Sequence, residues 1–123
     1  MTLQIELVAA DRVVWSGEAT EVIARTAEGD LGVLSGHAPL LSLLVPGVVE
    51  IHPVEGEIIR GAVAEGFMSV AADRVSILSE EIFLTDEFSQ SEADAELEAA
   101  RTSEDEMAVR RAQAKLRLLG QAS

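Results

Sequence analysis

Cysteine and tyrosine are absent from this chain, and lysine occurs once, at Lys115. Without cysteine there are neither disulfides nor thiolate-ligated zinc sites. With its one lysine preceded by Ala114, the chain has no Gly-Lys end for a phosphate-binding glycine loop, which excludes Walker-type nucleotide hydrolysis. Bases are scarce altogether. Nine Lys and Arg stand against 22 Asp and Glu, a net charge of −13 that repels a phosphate backbone and sets nucleic-acid binding aside. Long apolar runs are missing too. The most apolar stretch, residues 38–49, is interrupted by Pro46-Gly47 and falls short of the ~20 residues a membrane helix needs. The first residues, Met1 to Glu6, carry no basic segment, and Glu6 and Asp11 sit where a signal peptide needs an apolar core.

Catalytic patterns are equally sparse. In Gly32-Val33-Leu34-Ser35-Gly36 the serine stands one position late for a nucleophile elbow. His37 and His52 have no carboxylate or second histidine at a ligand spacing, and both read as structural or interfacial. Trp15, the sole tryptophan, reads as core packing rather than a ligand platform. No catalytic residue, metal or cofactor is expected.

What is present is a β pattern followed by a helical one. From Leu3 to about Leu78, short apolar segments rich in β-branched residues are punctuated by Gly, Pro or Asp every ~8–12 residues, the spacing of an all-β sandwich. Leu3, Ile5 and Leu7 alternate with Gln4 and Glu6, as in a strand with one buried face. Further strands are expected over 12–16, 20–26, 31–34, 40–44, 48–52, 57–64, 67–71 and 74–78. Ser16-Gly17, Glu28-Gly29, Pro46-Gly47, Glu55-Gly56 and Glu65-Gly66 read as the turns between them, Pro46-Gly47 as type II.

After Phe88 glycine nearly vanishes, while Ala, Glu and Leu, which are good helix formers, dominate. Ser89-Gln90-Ser91-Glu92 and Ser103-Glu104-Asp105-Glu106 both fit the capping box and imply a helical hairpin. Its expected apolar stripes are Ala93, Leu97 and Ala100 on the first helix, and Ala108, Ala112, Leu116 and Leu119 on the second, with Gly120 as its stop. The expected fold is therefore mainly β with a small α part: a β-sandwich over residues 1–86 and an antiparallel αα-hairpin over residues 87–123. Residues 107–123 hold four bases, Arg110, Arg111, Lys115 and Arg117, and no acid, a basic end that matches the helix dipole.

The densest run of turn residues is Glu28-Gly29-Asp30-Leu31-Gly32-Val33-Leu34-Ser35-Gly36-His37-Ala38-Pro39-Leu40-Leu41. It reads as a chain reversal, a short strand and a second tight loop, and its polar groups Glu28, Asp30, Ser35 and His37 are expected together at one end of the sandwich. This segment resembles the signature of the ε subunit family of bacterial F-type ATP synthases. The resemblance continues through Pro46-Gly47-Val48, Glu65-Gly66-Phe67-Met68-Ser69-Val70 and Val75-Ser76-Ile77-Leu78, and the short hairpin resembles the shorter actinobacterial forms.

The resemblance implies a flattened sandwich of ten strands and a non-catalytic place in the central stalk, coupling the γ subunit to the c ring during proton-driven ATP synthesis. Membrane association would then run only through the complex, at the cytoplasmic face of the plasma membrane. Glu28, Asp30, Leu31, Ser35 and His37 are the implied c-ring and γ contacts. Arg110, Arg111, Lys115 and Arg117 are the implied regulatory bases that meet the α/β catalytic head, restraining ATP hydrolysis. Of the nucleotide-binding motif some members carry at the first helix, only Asp94 is kept: Leu97 stands where the arginine would be. Read without the resemblance, the same residues also fit a free-standing β-sandwich binding module.

Overall fold

The computed structural model describes residues 1–121. Nine strands come first: β1 (Leu3–Ala9), β2 (Val13–Thr26), β3 (Gly29–Leu34), β4 (Leu40–Leu44), β5 (Gly47–Pro53), β6 (Ile59–Val63), β7 (Gly66–Ala71), β8 (Arg74–Ser79) and β9 (Ile82–Leu84). A 3-10 turn over Thr85–Glu87 leads to α1 (Gln90–Thr102) and α2 (Glu106–Gln121). Among the described residues the strand count is nine, not the ten implied by family resemblance. Two expected strands, 12–16 and 20–26, are one continuous strand of 14 residues, and the short β9 carried no period long enough to read.

The continuity of β2 organises the sandwich. Its first half pairs antiparallel with β1, which pairs in parallel with β8 and so joins β7 and β4. Its second half pairs with β3 on one side and β5 on the other, and β5 continues to β6 and β9. The inner faces meet in a core that includes Leu3, Ile5, Leu7, Val22, Met68 and Ile77, all fully buried. Trp15 packs half-buried at its margin.

Gly17 explains why the expected turn at Ser16-Gly17 is absent. The Trp15 indole lies across it, and an added Cβ would come within 3.0 Å of the ring, so this glycine makes room for an aromatic ring inside a strand. Gly47 also avoids positive φ and is no type II turn. The stem of Arg25 lies over it, and an added Cβ would reach 2.6 Å from Arg25 Cβ.

The helices follow from their caps. At α1 the Ser89 hydroxyl accepts the Glu92 N–H at 3.1 Å while the Glu92 carboxylate accepts the Ser89 N–H at 3.1 Å, the reciprocal box expected there. The second expected box does not form. Ser103 instead closes α1, donating to the Ala100 carbonyl at 3.1 Å; Glu104 takes a φ of 58°; and Asp105 caps α2 by accepting the Ala108 N–H at 3.1 Å. Helix α2 runs on through Gly120, the expected stop, to Gln121. The hairpin expectation extended to residue 123, and its last two residues lie outside the described ones.

Gly66, at the start of β7, is the position least able to accept a side chain, because a Cβ there would fall on the Leu78 carbonyl of β8. Gly66→Ala is expected to destabilise the fold by about 1–3 kcal/mol. Gly32→Ala, whose Cβ would meet only the Glu21 carboxylate at 3.7 Å, should stay within about 0.5 kcal/mol. Urea midpoints compare the two directly, and equal midpoints would contradict the packing account.

Candidate interaction surfaces

The signature segment is split by its own strand. Ala27 and Glu28 form the β2–β3 turn, where the Thr26 hydroxyl donates to the carbonyl of Gly29, the first residue of β3, at 2.8 Å and accepts the Glu28 N–H at 3.2 Å. Asp30 lies one residue on, exposed and paired with Arg25 across the ladder at 3.3 Å. Leu31 packs half-buried against the core. Ser35, Gly36 and His37 come after β3. The six residues of β3, at ~3.3 Å each, hold the two groups about 20 Å apart. The expectation that Glu28, Asp30, Ser35 and His37 gather at one end is therefore corrected: the extended strand between them prevents it.

The far loop is fastened to the β7–β8 turn. Ala72 and Asp73 take φ of 50° and 61° in a two-residue reversal. The Asp73 carboxylate accepts the Gly36 N–H at 2.7 Å and the Ser35 hydroxyl at 3.1 Å. His37 Nδ1 lies 2.7 Å from the Ala38 carbonyl, so its proton sits on that nitrogen. His52 is half-buried on β5, 3.1 Å from Glu50, which Arg60 also contacts at 2.8 Å. These contacts, that of His52 first, hold the Glu50 carboxyl below its ordinary range. No group of three or more His, Asp or Glu able to hold a metal occurs among the described residues.

The outer face of the β4-β7-β8-β1 half carries a surface that motif reading missed. Strand register places Leu43 opposite Phe67, Phe67 opposite Leu78, Leu78 opposite Val8 and Val8 opposite Val13. Directly paired residues share a face, so these five side chains form one apolar row across five strands. Leu43 is 61% exposed, Phe67 50% and Val13 60%, and Leu41, two residues before Leu43, is 72% exposed. The signal was in Leu40-Leu41-Ser42-Leu43-Leu44, whose only polar residue, Ser42, falls on the less exposed side while Leu41 and Leu43 face out. An apolar patch of this kind marks an interaction site.

The opposite outer face is covered by the hairpin. Leu118 and Ala114 of α2 are buried with Ala62 of β6, and Val48 and Phe88 pack around them. The buried stripe of α2 is thus not the expected 108, 112, 116, 119 set: Ala112 is buried, but Ala108, Leu116 and Leu119 are only partly so. On α1, Ala93 and Ala100 are buried as expected, Leu97 is half-buried, and Asp94 is exposed.

Two of the four basic residues of α2 face inward. Arg111 makes two parallel bonds to Glu65, 2.6 and 2.9 Å. Lys115, with a side chain only 7% exposed, donates to Glu96 of α1 at 2.6 Å. Its ammonium also lies 4.1 Å from the Phe83 ring centroid and 5.7 Å from that of Phe88. One side chain therefore touches β9, the segment just before α1, and α1 itself. Arg110 pairs loosely with Glu106 at 3.4 Å. Arg117 makes no ion pair among the described residues.

The Arg111 hydrogen bond holds the Glu65 carboxyl below the ordinary carboxylate range, outweighing burial, which acts the other way. A depressed folded-state pKa adds stability that is fully present above the unfolded carboxyl value of ~4.3 and lost as pH falls through the folded value. Because the pair is about one-third exposed, solvent screening limits its worth, and Glu65→Gln is expected to cost about 1 kcal/mol at neutral pH. In denaturation series, the gap between wild type and Glu65→Gln should close below about pH 4; a gap that persists there would contradict this linkage.

Comparison with known proteins gives a consistent result. The family model for the β-sandwich domain of the ATP synthase delta/epsilon chain matches residues 2–85. The ATP synthase epsilon chain of Streptomyces avermitilis is 50% identical over 115 residues, covering 94% of this chain and 93% of that one. The epsilon chain of Corynebacterium diphtheriae is 43% identical over 116 residues, covering 94% and 91%. A chain in the cryo-EM structure of the Euglena gracilis mitochondrial ATP synthase, OSCP/F1/c-ring in rotational state 1, has a TM-score of 0.75 at 26% identity, covering 98% of this chain and 81% of that one. A chain in the Tetrahymena thermophila mitochondrial central stalk/c-ring structure shares the fold, with a TM-score of 0.61 at 16% identity, covering 99% and 96%. A sandwich that closes on one long strand, carries this signature segment and is followed by a docked helical hairpin thus belongs to the delta/epsilon chain family of ATP synthase.

Proposed function

We propose that this protein is the non-catalytic rotor-stalk subunit of an ATP synthase, and that the apolar row through Leu43, Phe67 and Leu78 is where its sandwich seats on the γ subunit. The row carries the proposal, because a non-catalytic stalk subunit acts through the surfaces it presents. It makes and breaks no bond. Its work is to hold neighbouring rotor parts in register so that torque from proton flow reaches the catalytic head.

The β2–β3 turn with Glu28 and Asp30, backed by Leu31, and the far loop with Ser35 and His37 lie at opposite ends of β3. The two ends meet different neighbours in this reading, Asp30 and Glu28 facing the polar loops of the c ring. Residues 1–86 form the docking unit and residues 87–123 a regulatory one. With the hairpin docked, Arg111 and Lys115 are occupied internally, and only on undocking would they join Arg110 and Arg117 in meeting acidic segments of the α/β head. No helix among the described residues is long and apolar enough to cross a membrane. As part of this membrane-associated complex the subunit sits peripherally, at the cytoplasmic face.

Phe67→Asp places a charge at the centre of the row and is expected to lower recovery of γ with a tagged chain at least tenfold, a loss of about 1.4 kcal/mol or more. Phe67 is half exposed, so the isolated variant should remain folded, which circular dichroism checks. Undiminished recovery would refute the seat. Removal of residues 103–123 is expected to raise ATP hydrolysis by the assembled enzyme; an unchanged rate would remove the regulatory reading.

A further inference from the structure

The two basic residues of α2 left over by the hairpin contacts are not scattered. Arg110 and Arg117 lie seven residues apart on α2, with Gln113 between them, and this spacing puts all three on one helix face. That face looks across a cleft of about 360 Å³ at the β2–β3 turn and the Val45-Pro46 connection, and Arg25 of β2 completes the lining. Acids outnumber bases 22 to 9 in this chain, yet the cleft is lined by three arginines and no carboxylate. A second hollow beside it shares Arg25 and Arg117 and adds Asp30 and Glu50.

These three guanidiniums are also weakly paired. Arg12, Arg60 and Arg111 hold carboxylates at 2.6–2.8 Å. Arg25 and Arg110 have single contacts of 3.3 and 3.4 Å with exposed acids, and Arg117 has none among the described residues. The direction of Arg25 is fixed by its stem lying over Gly47. Like charges converging on one concavity repel one another, and a planar guanidinium fork matches a phosphate oxygen pair better than it matches water.

We propose that the cleft between α2 and the β2–β3 turn is a binding site for a compact phosphate anion, orthophosphate or diphosphate, held by Arg25, Arg110 and Arg117. A volume of about 360 Å³ is at the small end of ligand pockets, ~300–1,000 Å³, and suits a phosphate group with its water. No aromatic ring borders it to stack a base: Phe83 and Phe88 face Lys115, and Trp15 covers Gly17. The charges converge on one volume rather than spacing out along a track, which favours a compact anion over an acidic peptide. Because Arg25 comes from the sandwich and the other two from α2, the site exists only with the hairpin docked, and the anion strengthens docking by mass action.

Isothermal titration of the purified full-length protein with sodium diphosphate and with orthophosphate, at low ionic strength, tests this without any other subunit, so its failure leaves the rotor assignment untouched. Saturable binding is expected, weakened at least tenfold by Arg117→Gln and by Arg25→Gln, and unchanged by Arg74→Gln, which lies at the opposite end of the sandwich. Arg117 is exposed, so its variant remains decisive if Arg25→Gln folds poorly. Absence of saturable binding, equal affinity in Arg117→Gln, or tighter binding of a glutamate-rich peptide than of diphosphate would each overturn the proposal.

Discussion

Each half of the sandwich has an inner face that buries itself and an outer face that must be covered or left wet, and the chain has one hairpin to cover two outer faces. That constraint orders the rest. The β5-β6 side takes the hairpin through Ala62, Ala114 and Leu118. The β4-β7-β8-β1 side keeps Leu41, Leu43, Phe67 and Leu78 in solvent, a cost no isolated monomer needs to bear. Within an assembly the same residues become an asset, since a second protein on this side completes what the hairpin does on the other.

The hairpin is held with modest means. Its apolar contact is small, with Leu118 the only large aliphatic side chain fully buried among the described residues of α2, worth about 1.5–3 kcal/mol. Polar contacts therefore set where it sits. Arg111 with Glu65 fixes α2 against the β6–β7 connection, and Lys115 ties α2 to α1 through Glu96 and to the sheet through Phe83. Paired charges specify a register more than they add net stability, because desolvation offsets much of their attraction. A helix pair docked this way is located more by its polar contacts than by its apolar ones.

How much of this was legible in the sequence depends on the range of the interaction. The alternation of Leu3, Ile5 and Leu7 with Gln4 and Glu6, the Ser89…Glu92 cap and the change of composition after Phe88 are local features, and local chemistry decides them. The turns misread at Ser16-Gly17 and Pro46-Gly47 are the reverse case. A glycine that frees φ and one that admits a neighbour look alike in sequence, and only the Trp15 ring and the Arg25 stem tell them apart. The stripe of α2 shifted for a similar reason: the helix faces both α1 and the sheet, so its buried arc is set by two partners, one of them remote.

By itself the sequence determined the succession of a strand-rich region and a helical pair, the inner face of β1, the absence of familiar catalytic patterns and the family signature, because each is written within a few residues of chain. Tertiary structure alone decided that the signature's two polar groups stand a strand's length apart, that Arg111 and Lys115 turn inward while Arg110 and Arg117 do not, and that five apolar residues from five strands line up on one face. Those outcomes depend on strand register and on helix docking, which bring together residues as far apart as Val13 and Leu78, and no local pattern encodes which distant backbone a side chain will meet.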